Sequence, residues 1–331
     1  MSNRPTHAAL FCEHLSDDLS GLRVVSRAAQ APADGEVRIA VAAAAINFPD
    51  LLMTRGAYQF RPPLPFVPGM EGAGTIVECG AHAGSWRIGD AVTFVLRHGA
   101  MAQEVVCPIA SLSAAPPNLS MQEAACHAIN GLTAVVALER IAALRAGETL
   151  LVHGARGGVG AACVQLGLHL GARVIASASK VETLDTLAAQ GVAVLDARTP
   201  FAEAVNAITG GRGADVITDP VGGDVFDEST RCIAFGGRLL VLGFASGRIP
   251  TLAANRALIK GFSMMGVRAG EYGRRFPELG AENRERVRRL AASGVLRPHI
   301  GLRLPLTRAV EALQALQSRA VAGRVVLDLV D

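Results

Sequence analysis

Over roughly the first 120 residues, short runs of β-branched and small apolar residues alternate with turn residues. EVRIAVAAAAI at 36–46, GTIVECG at 74–80, DAVTFVL at 90–96 and AQEVVCPI at 102–109 read as strands of a twisted, mostly antiparallel β domain. Within this region lies YQFRPPLPFVPGMEG at 58–72. Its prolines, Pro62, Pro63, Pro65 and Pro68, fix φ and remove ladder donors, so the segment reads as irregular extended chain.

From about residue 121 the rhythm changes to helix-length periodic segments alternating with short, continuously apolar runs, the pattern of a parallel sheet with crossover helices. TLLVHG (149–154), ARVIASAS (172–179), VAVLDA (192–197), ADVITD (214–219) and GRLLVLGF (237–244) are the expected strands. VGAACVQLGLHL, VETLDTLAAQ, FAEAVNAITG and VFDESTRCIAF are the expected helices between them. Together they form an α/β unit with a doubly wound parallel sheet. Past KGFSMMGVRAG (260–270) the alternation breaks, and an Arg-rich amphipathic helix is expected over 277–293. The closing segments LRLPL, TRAVEALQALQ and GRVVLDLV are expected to complete the first domain. The division is therefore 1–124 for the β domain, 125–262 for the doubly wound domain and 263–331 for the return.

A chain of 331 residues, 50% apolar and 18% charged, can bury cores in two domains and excludes wholesale disorder. Lys and Arg number 32 against 29 Asp and Glu, a net charge of +3 spread along the chain, which leaves no nucleic-acid footprint. RERVRRL (284–290) reads as a solvated helix face. No segment reaches about 18 apolar residues and the N-terminal apolar run is too short for a signal core, so no membrane span or export is expected. Six cysteines without a CxxC pair read as reduced, buried thiols of a cytoplasmic protein.

The chemistry concentrates at Gly154-Ala155-Arg156-Gly157-Gly158-Val159-Gly160, which follows a strand and opens a helix. Glycines there permit a tight turn and close approach to a diphosphate, and the helix start supplies free N–H groups and a positive dipole end. An NAD enzyme commonly carries Asp or Glu near the end of the next strand to hold the ribose hydroxyls. This chain instead has Ala176-Ser177-Ala178-Ser179-Lys180, which favours the 2′-phosphate of NADPH, and Arg198 after the third strand is a second candidate cation. No zinc spacing of Cys, His or Asp/Glu occurs, and Cys126-His127 reads as a packed helix start. Without a Lewis acid, conjugated acceptors become the better expectation than simple alcohol-type carbonyls. No G-x-S-x-G elbow is present, so a hydrolase is set aside.

Six ordered motifs follow one pattern: Asn47-Phe48-Pro49-Asp50 with Arg55-Gly56-Ala57-Tyr58, Pro68 to Gly74, Asn130 to Ala134, the 154–160 loop, Asp219 to Gly223, and Leu242 to Gly247. In these the chain resembles the zinc-independent quinone oxidoreductases of the medium-chain dehydrogenase/reductase superfamily over essentially its whole length. The resemblance implies a GroES-like catalytic domain built from both chain ends, with a Rossmann domain inserted. It places Asn47 and Thr133 near the nicotinamide, and Val221, Gly243, Phe244 and Ala245 along the dinucleotide. Met265 to Val267 correspond to backbone near the carboxamide, and Arg319 to a partner for the 2′-phosphate. Zinc-bearing relatives have a cysteine and a histidine where this chain has Asn47 and Met70, so the resemblance implies no metal. Tyr58 matches the proton-donor position of enoyl-thioester reductases. The chain departs from the pattern at Arg156, at Ala197 in place of a tyrosine, and at Thr183 in place of a lysine, which leaves the phosphate to Lys180.

The resulting expectation is an NADPH-dependent reductase of quinones or other α,β-unsaturated carbonyls, with Tyr58 and Asn47 as its catalytic candidates. An enoyl-thioester reductase, with Arg61, Arg97, Arg268, Arg274 and Arg275 as a basic rim, and a non-catalytic NADPH-binding protein are the alternatives. GRLLVLGF, taken as the edge of the sheet, suggests a homodimer.

Overall fold

A computed structural model describes residues 5–330 and divides the chain into two compact units. The first runs up to Ile129 and resumes at Arg297, and the second spans Asn130–Leu296.

In the first unit, β1 (Thr6–Cys12) and β2 (Leu22–Ala28) form an antiparallel hairpin. They are followed by β3 (Glu36–Ile46), α1 (Phe48–Thr54), β4 (Glu71–Cys79), β5 (Ala91–Val95), β6 (Glu104–Pro108) and β7 (Leu112–Ala114). Alternate residues of β3 are buried, as its period-two pattern requires, until Ala43–Ile46, where both faces are covered. The helix α2 (Met121–Val135) carries the chain into the second unit.

The second unit contains β8 (Thr149–Val152), α3 (Gly158–His169), β9 (Arg173–Ala178), α4 (Asp185–Ala189), β10 (Ala193–Asp196), α5 (Ala202–Ile208), β11 (Ala214–Asp219), α6 (Gly223–Cys232), β12 (Ile233–Val241), α7 (Ala254–Lys260), β13 (Ser263–Gly266), α8 (Ala269–Arg275) and α9 (Pro277–Ala292). Its strands are parallel in the order β10-β9-β8-β11-β12-β13. The order reverses between β8 and β11, the place where doubly wound sheets bind ligands at the strands' carboxyl ends.

The chain returns to the first unit through β14 (Ile300–Pro305), α10 (Ala309–Gln317) and β15 (Arg324–Asp328). Antiparallel pairing of β15 with β3, from Val325 opposite Ile46 to Asp328 opposite Ala43, joins the two ends of the sequence in one sheet.

Several expectations change. β13 is a sixth parallel strand and α8 and α9 follow it in the same unit, so the return begins at Arg297 and not at residue 263. The first crossing lies within α2 at Ile129/Asn130, later than residue 124. GRLLVLGF belongs to β12, which is flanked by β11 and β13 and is no edge; β13 is. Ile233, Ala234 and Phe235 begin β12 and do not end the preceding helix.

Candidate active site

The turn after β8 is shaped by glycine. Gly154 adopts φ +62°, in the left-handed region that favours glycine. A Cβ on Gly160 would fall 2.2 Å from the Gly154 carbonyl oxygen, so only glycine lets α3 start this close to the turn. The Ala155 N–H donates to Ser177 O at 3.0 Å, and the first bond of the helix runs from Ala161 N–H to Gly157 O at 2.8 Å. The N–H groups of Gly158, Val159 and Gly160 therefore precede the helical ladder and are open to an anion. Arg156 is half-buried within this turn.

At the end of β9, Ser179 and Lys180 are exposed, and Lys180 has no ion-pair partner among the described residues. Ser177 is different. It is fully buried, and its hydroxyl lies 2.6 Å from Nδ1 of the equally buried His153, whose Nε2 lies 2.8 Å from Ser229 Oγ. Ser229 donates its own proton to Val225 O at 2.7 Å, so it accepts from His153 Nε2–H, and Ser177 donates to Nδ1. Burial pushes the His153 pKa down to about 3, which keeps the ring neutral. The Ser177 hydroxyl thus serves the core, against the expectation that it reaches the cofactor. Arg198 is also engaged: its guanidinium grips the Asp196 carboxylate through Nε and NH2, with NH2 at 2.7 Å, so much of its charge is met locally.

The turns after β11 and β12 are laced together. Asp219, 1% exposed, accepts the Val221 and Gly222 N–H groups through one oxygen at 2.7 and 2.9 Å, and burial raises its pKa. Ala245 N–H donates to Pro220 O and Ser246 N–H to Val221 O, which places Gly243, Phe244 and Ala245 beside Val221. A Cβ on Gly154 would come 3.4 Å from Pro220, so the phosphate turn and the 220–223 turn are neighbours. On β13, Met265 is half-buried, while Val267 beyond it is in the core and donates its N–H to Val241 O at 2.9 Å; the Val267 side chain is unavailable and only its backbone could meet a ligand. Thr133 is half-buried on α2.

The first unit holds the other candidates. Asn47 caps α1 and is 4% exposed. Its Nδ2 donates to Glu71 Oε1 at 3.0 Å, and its Oδ1 accepts from Arg324 NH2 at 3.0 Å. The same NH2 donates to Glu71 Oε1 at 2.8 Å, and Glu71 Oε2 accepts the Ile129 N–H at 2.9 Å. Asp50, fully buried, accepts the Asn47 N–H at 2.8 Å, and burial with the nearby Glu71 raises its pKa to about 7. Tyr58 is half-buried against the core of this unit, and its hydroxyl has no hydrogen-bond partner among the described residues. Arg319 is exposed after α10 with φ +53°. Sequence reasoning missed the Glu71–Arg324 pair, because the only signal was an acid and a base some 250 positions apart.

His127 lies inside α2, where its ring nitrogen bonds Ala124 O at 2.7 Å and burial lowers its pKa. Among the described residues, no three His, Cys, Asp or Glu side chains are grouped to hold a metal ion. All six cysteines are free, and among the described residues no helix is long and apolar enough to cross a membrane. Of the suggested basic rim, Arg274 and Arg275 are both occupied by Glu271, at 3.0 and 3.2 Å.

Two family models match: the alcohol dehydrogenase GroES-like domain over residues 33–117 and zinc-binding dehydrogenase over residues 158–283. Quinone oxidoreductase-like protein 2 of Mus musculus is 33% identical, across 98% of this chain and 92% of its own. The chain belongs to the quinone oxidoreductase family of the medium-chain dehydrogenase/reductase superfamily. A mycobacterial protein solved in complex with NADPH superposes with a TM-score of 0.87 at 30% identity, covering 97% of this chain and 99% of that one. The CurK enoyl reductase gives a TM-score of 0.87 at 27% identity, covering 98% and 99%. The protein is accordingly an oxidoreductase with a nicotinamide-cofactor-binding fold, and the tight glycine turn at Gly154–Gly160, whose backbone a side chain at 160 would push apart, fits that group.

Proposed function

We propose that the protein is an NADPH-dependent reductase that passes hydride to a quinone or another α,β-unsaturated carbonyl without a metal. One observation carries this reading. A glycine turn that no larger residue could form opens a helix at the point where the sheet order reverses, and the strand beside it ends in an exposed, unpaired lysine instead of an acid. When bound, the cofactor supplies the hydride.

The chain's own residues bind and orient. The N–H groups of Gly158, Val159 and Gly160 hold the diphosphate, with Gly154 and Gly157 shaping the turn and Arg156 adding positive charge to it. Ser179 and Lys180 take the 2′-phosphate, joined by Arg198 to the extent that Asp196 leaves it charge to share. Val221, Gly243, Phe244, Ala245, Met265 and the backbone at Val267 line the nucleotide, and Thr133 supports the ring. Asn47 acts at the acceptor, and Tyr58, whose hydroxyl is uncommitted, supplies a proton to a developing enolate. Asn47 and Met70 stand where zinc-bearing relatives carry a cysteine and a histidine, and the reading without zinc rests on that substitution.

Anaerobic mixing with NADPH and 1,4-benzoquinone, following cofactor absorbance, tests this reading. Oxidation is expected, with NADPH preferred to NADH and no effect of chelator. Absence of oxidation with every quinone and enone would overturn it. Turnover of a crotonyl thioester but no quinone would instead mark an enoyl-thioester reductase, and tight NADPH binding with no turnover a binding protein.

The partner we propose is a second copy of the chain. Among the described residues β13 pairs with β12 alone; it has no charged residue and leaves one row of backbone groups unmatched there. Phe235 is 86% exposed against Gly261, and Leu258 and Ile259 of the adjoining α7 are 81% and 75% exposed. Antiparallel pairing of β13 with its copy across a two-fold axis satisfies the edge and covers these side chains. The free, mostly buried thiols fit a cytoplasmic setting.

A further inference from the structure

The first unit buries two opposite charges together: Glu71 is fully buried and Arg324 is 7% exposed, and they meet at 2.8 Å. Removing both ions from water is costly, and a well-packed apolar pair of similar volume commonly serves a fold as well or better. What the pair does for its neighbour gives a reason for its presence.

That neighbour is Asn47. A guanidinium can only donate and a carboxylate can only accept, so the partners fix which end of the Asn47 amide is which: Oδ1 faces Arg324 and Nδ2 faces Glu71. A third bond, from the Asn47 backbone N–H to Asp50 Oδ2 at 2.8 Å, fixes the main chain behind it. A carboxamide has two N–H donors. One is taken by Glu71, and Oδ1 already faces a cation, so the second Nδ2–H is the group left to offer. A cation hydrogen-bonded to the amide oxygen polarises the group and makes that N–H a better donor. Because Asn47 is only 4% exposed, a contact made there is largely screened from bulk water.

We propose that Glu71 and Arg324 are positioning residues that lock the Asn47 carboxamide as a hydrogen-bond donor to the carbonyl oxygen of the acceptor. The inference rests on the reading of the protein as a reductase of conjugated carbonyls. The hydride that reaches the conjugated carbon in this step would come from a bound reduced nicotinamide, which would be oxidised by the same two electrons. The carbonyl π system shifts an electron pair onto its oxygen, and Asn47 Nδ2–H stabilises that oxygen without giving up its proton. Protonation of the enolate follows from Tyr58 or water. The locked amide thereby does by hydrogen bonding part of what a Lewis acid does elsewhere.

The test compares wild-type, Asn47→Ala, Glu71→Gln, Arg324→Met and Arg324→Lys proteins by stopped-flow hydride transfer from NADPH to enones and to quinones of graded reduction potential. NADPH affinity, measured by fluorescence titration, reports on the second unit, and thermal unfolding followed by circular dichroism reports whether the first unit, which holds all three residues, is folded in each variant. Asn47→Ala and Arg324→Met are expected to slow hydride transfer to enones about 100-fold, the scale of losing one oxyanion donor, with NADPH affinity unchanged. The loss shrinks for the most oxidising quinones, which need least help, so the dependence of rate on acceptor potential steepens. Arg324→Lys restores part of the rate, and Glu71→Gln gives an intermediate loss. An active wild type whose variants bind NADPH normally and keep both rate and slope overturns the clamp alone. A uniform loss across all acceptors, tracking loss of NADPH binding, also overturns it and assigns the pair to stability. A wild type that reduces no acceptor sinks the reductase reading and the clamp with it.

Discussion

Ser177 Oγ donates a 2.6 Å hydrogen bond to Nδ1 of His153 inside the sheet of the second unit, where both residues are fully buried. The contact ties β9 to the residue that follows β8, one position before the glycine turn, and it sets a pH limit on stability. The folded pKa of His153 is about 3 against 6.5 for a free imidazole. Between these values the unfolded chain takes up a proton that the folded chain refuses. This contribution to stability is therefore complete above pH 6.5 and lost as pH falls toward 3. Denaturant unfolding at a series of pH values should show wild-type stability falling over that window by as much as about 5 kcal/mol from this group. His153→Leu should flatten that part of the profile, while costing about 1–3 kcal/mol at neutral pH because the Ser177 hydroxyl loses its acceptor.

Gly160→Ala tests the phosphate turn. The added Cβ meets the Gly154 carbonyl at 2.2 Å, so helix and turn must separate. Overpacking of this kind costs about 1–3 kcal/mol, or roughly 5- to 100-fold in affinity. Calorimetric titration should show NADPH binding weakened by that factor, whereas unchanged affinity would place the diphosphate elsewhere.

Lys180→Glu tests cofactor choice. Replacing the exposed cation by an acid should weaken NADPH binding about tenfold or more, leave NADH affinity within about twofold, and reduce the salt dependence of NADPH binding. Equal losses for the two cofactors would remove Lys180 from the phosphate site.

Much of this was legible in the sequence, for a physical reason. The five strands from 149 to 241 are short, mostly apolar runs without the strict alternation of a one-sided sheet, and they alternate with helix-length segments, which announces a parallel sheet. β13 escaped because a four-residue strand, half of it methionine and mostly exposed, has no period to read. Ser177 looked like a ligand contact because it sits near a strand end; only the fold shows that the His153 ring lies beside it. The Asn47–Glu71–Arg324 cluster joins residues brought together by the pairing of β15 with β3, and no local spacing encodes that.

Asp50→Asn tests the buried acid near Asn47. The folded pKa of Asp50, about 7, lies above its ordinary 3.8, so its neutral form suits the fold and stability falls as pH rises from 3.8 through 7. The amide keeps an acceptor for the Asn47 N–H and cannot ionise. Unfolding curves at about pH 4 and about pH 8, the two ends of that window, should differ less for Asp50→Asn than for wild type; a larger difference would contradict the assignment.

Met264→Lys tests the β13 edge. A charge placed in this strand should oppose pairing with a second copy, so sedimentation should show dimer for wild type and monomer for the variant. A monomeric wild type would refute the proposed partner.

The most direct measurement is the fate of the transferable hydrogen. NADPH carrying deuterium at both C4 positions of its dihydronicotinamide is mixed anaerobically with the protein and an enone, and the product is weighed by mass spectrometry. The account predicts one deuterium at the β-carbon of the saturated product, with stoichiometric oxidation of the cofactor and no dependence on added metal or chelator. A saturated product without deuterium, or intact cofactor beside unreacted enone and quinone alike, would contradict it.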